Sequence, residues 1–187
     1  MKLLHKILGI GTLGLVIALP FVSQTPVWAE FAQVQSVIAQ AEGEATVQLN
    51  LSAAKKSIVV TTGGKEEITW SDLADDAVVQ PGDTLRYTVS SQNTGASPAN
   101  DLTITQPVPE QMIYKLDTAT SKNEAEVTYS TDNGETFVAK PMIKVVTENG
   151  ETVEKPAPAE IYTHIRWQFE TVAPDAGIMA MYEVEVQ

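Results

Sequence analysis

The chain has 187 residues with 12 basic and 24 acidic side chains, and its formal net charge is −12. This length allows one domain with a short appendage, and the acidic balance disfavours binding to nucleic acid because phosphate groups are repelled. Cysteine is absent from the sequence, which excludes disulfide bonds, thiol nucleophiles and thiolate metal sites.

The N-terminal residues have the three parts of a secretory signal peptide. Lys2 and Lys6 precede an apolar run, Ile7 to Val22, which is shorter than the about 20 residues of a spanning helix. A small-residue cleavage site ends at Ala29, and a second possible site ends at Ala41. We therefore predict a signal peptide over residues 1–29, with Ala41 as the alternative end.

Several further expectations follow from the predicted export of the chain. Cleavage after Ala29 removes Lys2 and Lys6 and leaves 10 basic against 24 acidic residues, a net charge of −14. An exported chain without cysteine is typical of the bacterial envelope rather than of small disulfide-rich secreted domains. We expect a periplasmic, cell-surface or extracellular protein with no stable membrane anchor after signal cleavage.

Residues 30–44 are predicted to be a linker, and residues 45–187 a single domain made of short strands. Alternating apolar residues begin at Val47, and a second apolar run covers Ser57 to Thr61. A Gly-Gly turn then leads to a brief strand, Ile68 to Trp70, and Ser71 to Asp76 could form one helical turn.

The clearest strand follows the Pro81-Gly82-Asp83 turn, where Leu85, Tyr87 and Val89 are predicted to share one face. Further strands are predicted by the same alternation and by Asn-Gly turns. They are a strand from Leu102 to Pro107, hairpins Val127–Ser130 with Thr136–Val138 and Ile143–Thr147 with Thr152–Glu154, a strand from Ile161 to Phe169, and a last strand from Ile178 to Val186.

Repeated short strands with almost no helical periodicity predict an all-β fold, because each strand must cover the apolar face of another. We predict an antiparallel Greek-key β-sandwich, although periodicity alone does not separate a sandwich from a barrel.

Several segments in this region are similar to a known family. Val79-Gln80-Pro81-Gly82-Asp83-Thr84-Leu85-Arg86-Tyr87-Thr88-Val89, then Asn93-Thr94-Gly95 and Gln106-Pro107-Val108-Pro109, resemble the conserved repeat domain of bacterial surface proteins called domain of unknown function eleven. Tyr129 to Phe137, and Thr163 to Trp167 with Ala173-Pro174, resemble a subset of it. The resemblance implies an immunoglobulin-like sandwich with a surface, adhesive or assembly role, and no catalytic residue.

Catalysis has few candidates. His164 is the one histidine beyond the predicted signal peptide, and a catalytic triad would need a serine and a carboxylate beside it. No nucleophile-elbow motif is present, so we expect a surface histidine on a strand and no enzyme.

One turn has two interpretations. Residues 130–137 fit the S-x-D-x-G-x-T-aromatic box of sialidase hairpins, but a sialidase needs several such hairpins and an arginine cluster. We expect Asp132 to bind backbone amides, Gly134 to adopt positive φ and Phe137 to pack below the turn.

The sequence also gives little support for a metal site or a covalent cross-link. Calcium could bind Asp72, Asp75 and Asp76, or Asp132 with Glu135, but neither set has the shaped loop of oxygen ligands that calcium requires. No cofactor or metal is expected. An isopeptide bond from Lys55 or Lys56 to the last strand is also not expected, since Met179–Gln187 contains no asparagine.

Two kinds of binding remain open. Exposed aromatic rings bind sugars, and the candidates are Trp70, Tyr114 and Tyr162, whereas Trp167 is expected in the core. The last strand, from Ile178 to Val186, could instead pair with a partner at a sheet edge, or be paired within its own sheet. We expect a non-enzymatic module with a structural, adhesive or assembly role, whose partner is an envelope or surface protein or polysaccharide. The alternative is a carbohydrate-binding module.

Overall fold

A computed structural model describes residues 45–74 and 77–187, and all of its strands are paired antiparallel. The prediction of an all-β fold is confirmed within these ranges. The predicted signal peptide and linker, residues 1–44, lie outside them. No helix in the described part of the chain is long and apolar enough to cross a membrane.

The larger sheet, sheet A, has the strand order β2-β1-β3-β11-β5, and β6 also pairs with β11. Its strands are β1 (Val47–Val60), β2 (Glu66–Asp72), β3 (Thr84–Asn93), β5 (Met112–Tyr114), β6 (Thr120–Ser121) and β11 (Gly177–Val186). Sheet B has the order β4-β10-β7. Its strands are β4 (Ala99–Pro107), β7 (Glu126–Ser130) and β10 (His164–Val172). A separate hairpin joins β8 (Met142–Val146) to β9 (Thr152–Pro156).

Alternating burial builds the core between sheets A and B. Every second residue of β3 and β11 is buried, as the period-two pattern requires. The buried side chains of both sheets form one cluster, which includes Leu85, Tyr87 and Val89 from β3, Ile165, Trp167 and Phe169 from β10, and Ile178, Ala180, Tyr182, Val184 and Val186 from β11. The predicted faces of β3 and β11 are therefore confirmed.

The two sheets are joined through polar and aromatic contacts as well as apolar ones. The Tyr182 hydroxyl of sheet A donates a hydrogen bond to the Pro107 carbonyl of sheet B at 3.1 Å. The rings of Tyr182 and Trp167 lie 5.9 Å apart between their centroids. These contacts, with the shared core, fit a β-sandwich of two facing sheets.

The predicted turns around β3 also form. Gly82 has φ of 89°, which a glycine adopts without steric cost, and the Asp83 amide donates to the Gln80 carbonyl at 3.0 Å. At the other end of β3, Asn93 is fully buried, and its Nδ2 donates to the carbonyls of Ser97 (2.9 Å) and Val172 (3.0 Å). Asn93 thus ties the end of β3 to the end of β10.

Several predicted boundaries were wrong. The two apolar runs at 47–51 and 57–61 belong to a single strand of 14 residues, β1. Ile161 lies in a short 3-10 turn, Ala159–Ile161, and β10 begins only at His164. Ser71 and Asp72 continue β2 instead of starting a helical turn. The short strands β5 and β6 were not predicted, because two or three residues are too few to show alternation.

Candidate functional site

The turn between β7 and Val138 contains most of the polar residues that the sequence singled out. Ser130 is buried, and its hydroxyl donates to Asp132 Oδ1 at 2.7 Å. The Thr136 amide donates to Asp132 Oδ1 at 2.9 Å, and the Thr136 hydroxyl donates to Oδ2 at 2.5 Å. The prediction that Asp132 binds backbone amide groups in a turn is confirmed.

His164 packs against this turn. A Cβ atom added to Gly134 would meet the imidazole at 3.5 Å, and Gly134 has φ of 86°, as predicted. The His164 Nδ1 lies 3.2 Å from the Thr163 hydroxyl, which in turn donates to the Ser130 carbonyl at 3.2 Å. In a catalytic triad the histidine joins the serine to the carboxylate, whereas here the Ser130 hydroxyl contacts the carboxylate directly.

The charges of the turn follow from these contacts. Hydrogen bonds from Thr136 and Ser130 lower the pKa of Asp132 to about 2, because they favour the ionised carboxylate. Burial lowers the pKa of His164, as does the nearby guanidinium of Arg166, although the Asp132 carboxylate opposes both. At neutral pH the turn therefore holds an ionised Asp132 beside a neutral imidazole.

Phe137, which was predicted to pack below the turn, contacts Arg166. Its half-buried ring lies against the Arg166 guanidinium, with the Arg166 Cζ 3.4 Å from the ring centroid. Arg166 also donates from Nε to the Thr105 hydroxyl at 3.2 Å. The cation–π contact therefore joins the turn to the outer surface of sheet B.

The candidate calcium ligands that the structure describes are not grouped as a metal site. Asp72 is exposed on β2, and Asp75 and Asp76 lie outside the described residues. Asp132 is used by its own turn, where the Glu135 amide donates to the Asp132 carbonyl at 3.3 Å. Within residues 45–74 and 77–187, no three histidine or acidic side chains are grouped as metal ligands.

The aromatic candidates lie apart. Trp167 is fully buried, as predicted. Tyr114 is also buried, and its ring lies 5.6 Å from that of Tyr129 and 5.4 Å from that of Tyr162. Trp70 is half-buried on the opposite edge of sheet A. A flat sugar platform built from Trp70 and Tyr114 therefore does not form.

The last strand is not an edge. β11 pairs with β3 from Gly177 to Glu185, and on its other side with β5 and β6. Of the two interpretations of Ile178 to Val186, pairing within its own sheet is the correct one. Among the described residues, sheet A ends at β2 on one side and at β5 and β6 on the other, and β1 also lacks a second neighbour along part of its length.

We call the two-stranded projection formed by residues 56–70 the arm. β1 pairs with β3 only as far as Lys55, and from Ala54 to Val60 it pairs with β2 on its other side. Beyond Lys55 the arm therefore has no third strand among the described residues. Both of its edges offer backbone groups for pairing.

The outer face of the arm is apolar. Ile58 and Ile68 are directly opposite each other and are 60% and 56% exposed, and Val60 beside them is 64% exposed. Val59 points to the other face and is 49% exposed. Large apolar side chains grouped on one exposed surface are typical of interaction sites.

Two charge contacts fix the base of the arm. Lys55 Nζ lies 2.6 Å from Asp83 Oδ2, so this amine forms an ion pair in the structure. Burial raises the pKa of Asp83, but the hydrogen bonds from Lys55 and the Gln80 amide outweigh it, and the net pKa is lowered. The Arg86 guanidinium lies 3.7 Å from the Trp70 ring centroid and pairs with Glu183 at 2.7 Å.

The sequence analysis missed the arm because it separated the two apolar runs of β1. One signal could have found it: no glycine or proline interrupts residues 47–60, so the sequence does not indicate that the strand ends there.

Comparisons of the chain with protein-family models, curated proteins and solved structures gave no match.

Proposed function

We propose that this protein is an exported, non-enzymatic β-sandwich module with a structural, adhesive or assembly role at the bacterial envelope or cell surface. The single observation that supports it best is the arm, which carries exposed Ile58, Val60 and Ile68 and has two edges that no strand of the described residues covers. Such an element can add strands or apolar contacts to a partner protein.

The remaining parts of the proposal rest on the sequence. Export rests on the signal-peptide pattern of residues 1–29, and the immunoglobulin-like, Greek-key description rests on the Pro81-Gly82-Asp83 and Asn93-Thr94-Gly95 motifs. The strand pairs are nested along the chain, since β4 and β10 pair with each other and both lie between the paired strands β3 and β11. This nesting supports a chain wound as one long folded hairpin. Sequencing the N-terminus of the protein recovered from outside the cytoplasm should find Glu30.

The binding role is tested by offering the exported form, residues 30–187, to envelope protein fractions and to isolated surface polysaccharides. We expect a retained protein that is lost in the Ile58→Thr/Ile68→Thr double variant, because threonine keeps the preference for strands while removing apolar surface. The matched control is Val59→Thr, which changes the other face of the arm and should keep the partner.

Two results would contradict this function. Equal retention by the double variant and the parent protein would show that the arm does not bind the partner. Retention on polysaccharide alone, lost in Trp70→Ala, would support the carbohydrate-binding alternative instead.

A further inference from the structure

β10 has a strand partner along only part of one side. β7 pairs with β10 from His164 to Gln168, whereas β4 continues along the other side to Val172. The stretch from Phe169 to Val172 therefore has one unpaired edge within the described chain. An edge of this kind can accept an extended segment as an added strand.

The gap beside β10 has a clear origin in the chain path. Before β7, residues Thr120 and Ser121 pair with β11 of sheet A, and the Lys122 amide donates to the Met179 carbonyl at 2.8 Å. The chain must then cross from sheet A to sheet B through residues 123–125. β7 consequently begins too late to cover the end of β10.

An open groove of about 860 Å³, which we call the β10 groove, lies along this gap. The side chains of Phe169, Val172 and Ile178 line it and are otherwise part of the buried core. The groove therefore has an apolar floor, which could receive an apolar side chain of a bound segment.

The rim of the groove is acidic. Carboxylates of Glu124 and Glu126 lie before and at the start of β7, and those of Asp101 and Glu170 lie on β4 and β10. Of the lining residues that the structure describes, none is a lysine or an arginine. A bound segment is therefore favoured if it carries positive charge.

The register at the rim is irregular. Asp101 has φ of 52°, and it lies between the paired positions Leu102–Phe169 and Asn100–Thr171. Two successive exposed residues occur there on each strand, Asn100 with Asp101 and Glu170 with Thr171. Because the alternation is broken, more polar side chains lie around the groove than a regular strand would place there.

We propose that the β10 groove binds an extended segment of a partner protein, in which basic residues alternate with apolar ones. The segment adds as a strand to Phe169–Val172, places an apolar side chain on the floor and pairs its basic groups with the rim. This inference extends the proposed function by naming a kind of partner, and it does not depend on the arm.

Other occupants fit less well. A second copy of this chain would bring a net charge of −12 or, after signal cleavage, −14 towards an acidic rim. The preceding residues 30–44 contain Glu30, Glu42 and Glu44 and no basic residue, so their charge is also the wrong sign. A basic segment of another protein is the occupant that the charges favour.

The test measures binding of residues 30–187 to a fluorescein-labelled peptide of about eight residues, a typical strand length, that alternates lysine and valine. A second peptide has the same side chains but carries an N-methyl group on every backbone amide, so neither of its edges can donate hydrogen bonds to a strand. A third peptide alternates glutamate and valine. Fluorescence anisotropy gives each affinity, and hydrogen exchange follows the amides of Phe169 to Val172.

We expect the lysine peptide to bind and to protect amides within Phe169 to Val172. The N-methylated peptide should bind at least about ten-fold more weakly because strand pairing is blocked. The glutamate peptide should not bind measurably, because the rim repels it. Absence of binding by the lysine peptide, or equal binding of its N-methylated form, would overturn the proposal.

Charge variants distinguish binding at the β10 groove from general attraction by the net charge of the protein. Glu124→Lys/Glu170→Lys should weaken binding of the lysine peptide about ten-fold, since opposite charges at the rim are lost. Glu148→Lys/Glu151→Lys makes the same change in net charge at the exposed β8–β9 turn and should alter the affinity less than about two-fold. Equal losses in both would show general charge attraction and overturn the site.

Thermal melting checks that these variants fold, and Glu124→Gln/Glu170→Gln replaces the lysine pair if it does not. The Ile58→Thr/Ile68→Thr variant should bind the lysine peptide like the parent protein. Loss of peptide binding at the β10 groove and loss of partner binding at the arm are therefore measured separately.

Discussion

One strand, β1, runs through two regions that differ in what covers them. From Val47 to Lys55 it pairs with β3, and its alternate residues face the core, where Ala53 is buried. Beyond Lys55 its one partner among the described strands is β2, and Ile58, Val59 and Val60 are 60%, 49% and 64% exposed. The residue types in the two halves are similar, so burial here depends on neighbouring strands and not on hydrophobicity.

This difference separates stability from interaction. Side chains between the two sheets stabilise the fold because they leave water when the chain folds. Apolar side chains of the arm remain in water and contribute little to stability, so their surface is available to a partner. Substitutions in the two regions should therefore have effects that differ in size and in kind.

The largest effect is expected at Trp167. This side chain is fully buried and lies against Tyr182, so Trp167→Ala leaves a cavity and should reduce the free energy of unfolding by about 3–5 kcal/mol. The measurement is equilibrium unfolding in urea. A loss below that of Ile58→Ala, the matched truncation on the arm, would contradict the comparison between the two regions.

A smaller loss is expected at Asn93. Replacing this buried side chain in Asn93→Ala leaves the carbonyls of Ser97 and Val172 without their donor and should cost about 1–3 kcal/mol. The exposed neighbour Gln92 provides the control, because Gln92→Ala removes no hydrogen bond of this kind. If both variants melt at the same temperature, Asn93 does not join the two strand ends energetically.

Much of the sandwich could be predicted from the sequence, because a half-buried strand repeats every two residues. Leu85 with Tyr87, and Ile165 with Trp167, show the pattern plainly, and both pairs are buried. The Asn93-Thr94-Gly95 and Asp132-Asn133-Gly134 turns could be predicted equally well, because their residue types favour turns through local hydrogen bonds and tolerance of positive φ.

The candidate sites were harder to predict, because they depend on which strands are neighbours. Ile58 and Ile68 belong to an apolar pattern that could have been buried, but they are exposed on the arm, beside which β3 does not extend. The groove beside Phe169 exists because β7 begins only at Glu126, which pairs with Gln168. The Pro81-Gly82-Asp83 turn marks the start of β3, but local sequence does not show which strands lie beside Ile58 and Phe169, because pairing across the sheets decides this.

The third prediction concerns acid. Hydrogen bonds lower the pKa of Asp132 from 3.8 to about 2, so the ionised carboxylate stabilises the folded chain above pH 4. This contribution is lost as the pH falls from about 4 through 2, where Asp132 protonates in the folded chain as well. Thermal melting over this range should show a smaller decline in Asp132→Asn than in the parent protein.

A direct titration sharpens the acid prediction. Thr136→Val removes the hydroxyl that donates to Asp132 Oδ2, and the pKa of Asp132 measured by carboxyl-carbon NMR should rise towards 3.8. An unchanged pKa would show that the hydroxyl does not cause the shift. Because the turn is exposed, Thr136→Val should reduce the free energy of unfolding by less than Trp167→Ala or Asn93→Ala does.

The smallest effect on stability is expected on the arm. Ile58→Thr/Ile68→Thr changes side chains that are exposed in the folded chain, so the free energy of unfolding should change by less than about 0.5 kcal/mol for each substitution. Urea unfolding gives this value, and the same variant is the one expected to lose its partner.

A loss of stability similar to that of Asn93→Ala would instead mean that the arm packs against the sandwich in solution, and its apolar face would then be covered by the chain itself. Hydrogen exchange gives an independent measurement. Amides of residues 56–60 should exchange faster than those of β3, because β1 has one neighbouring strand there among the described residues whereas β3 has two. Small loss of stability combined with complete loss of binding is the result that assigns the exposed face to a partner, since no change within the core could produce both.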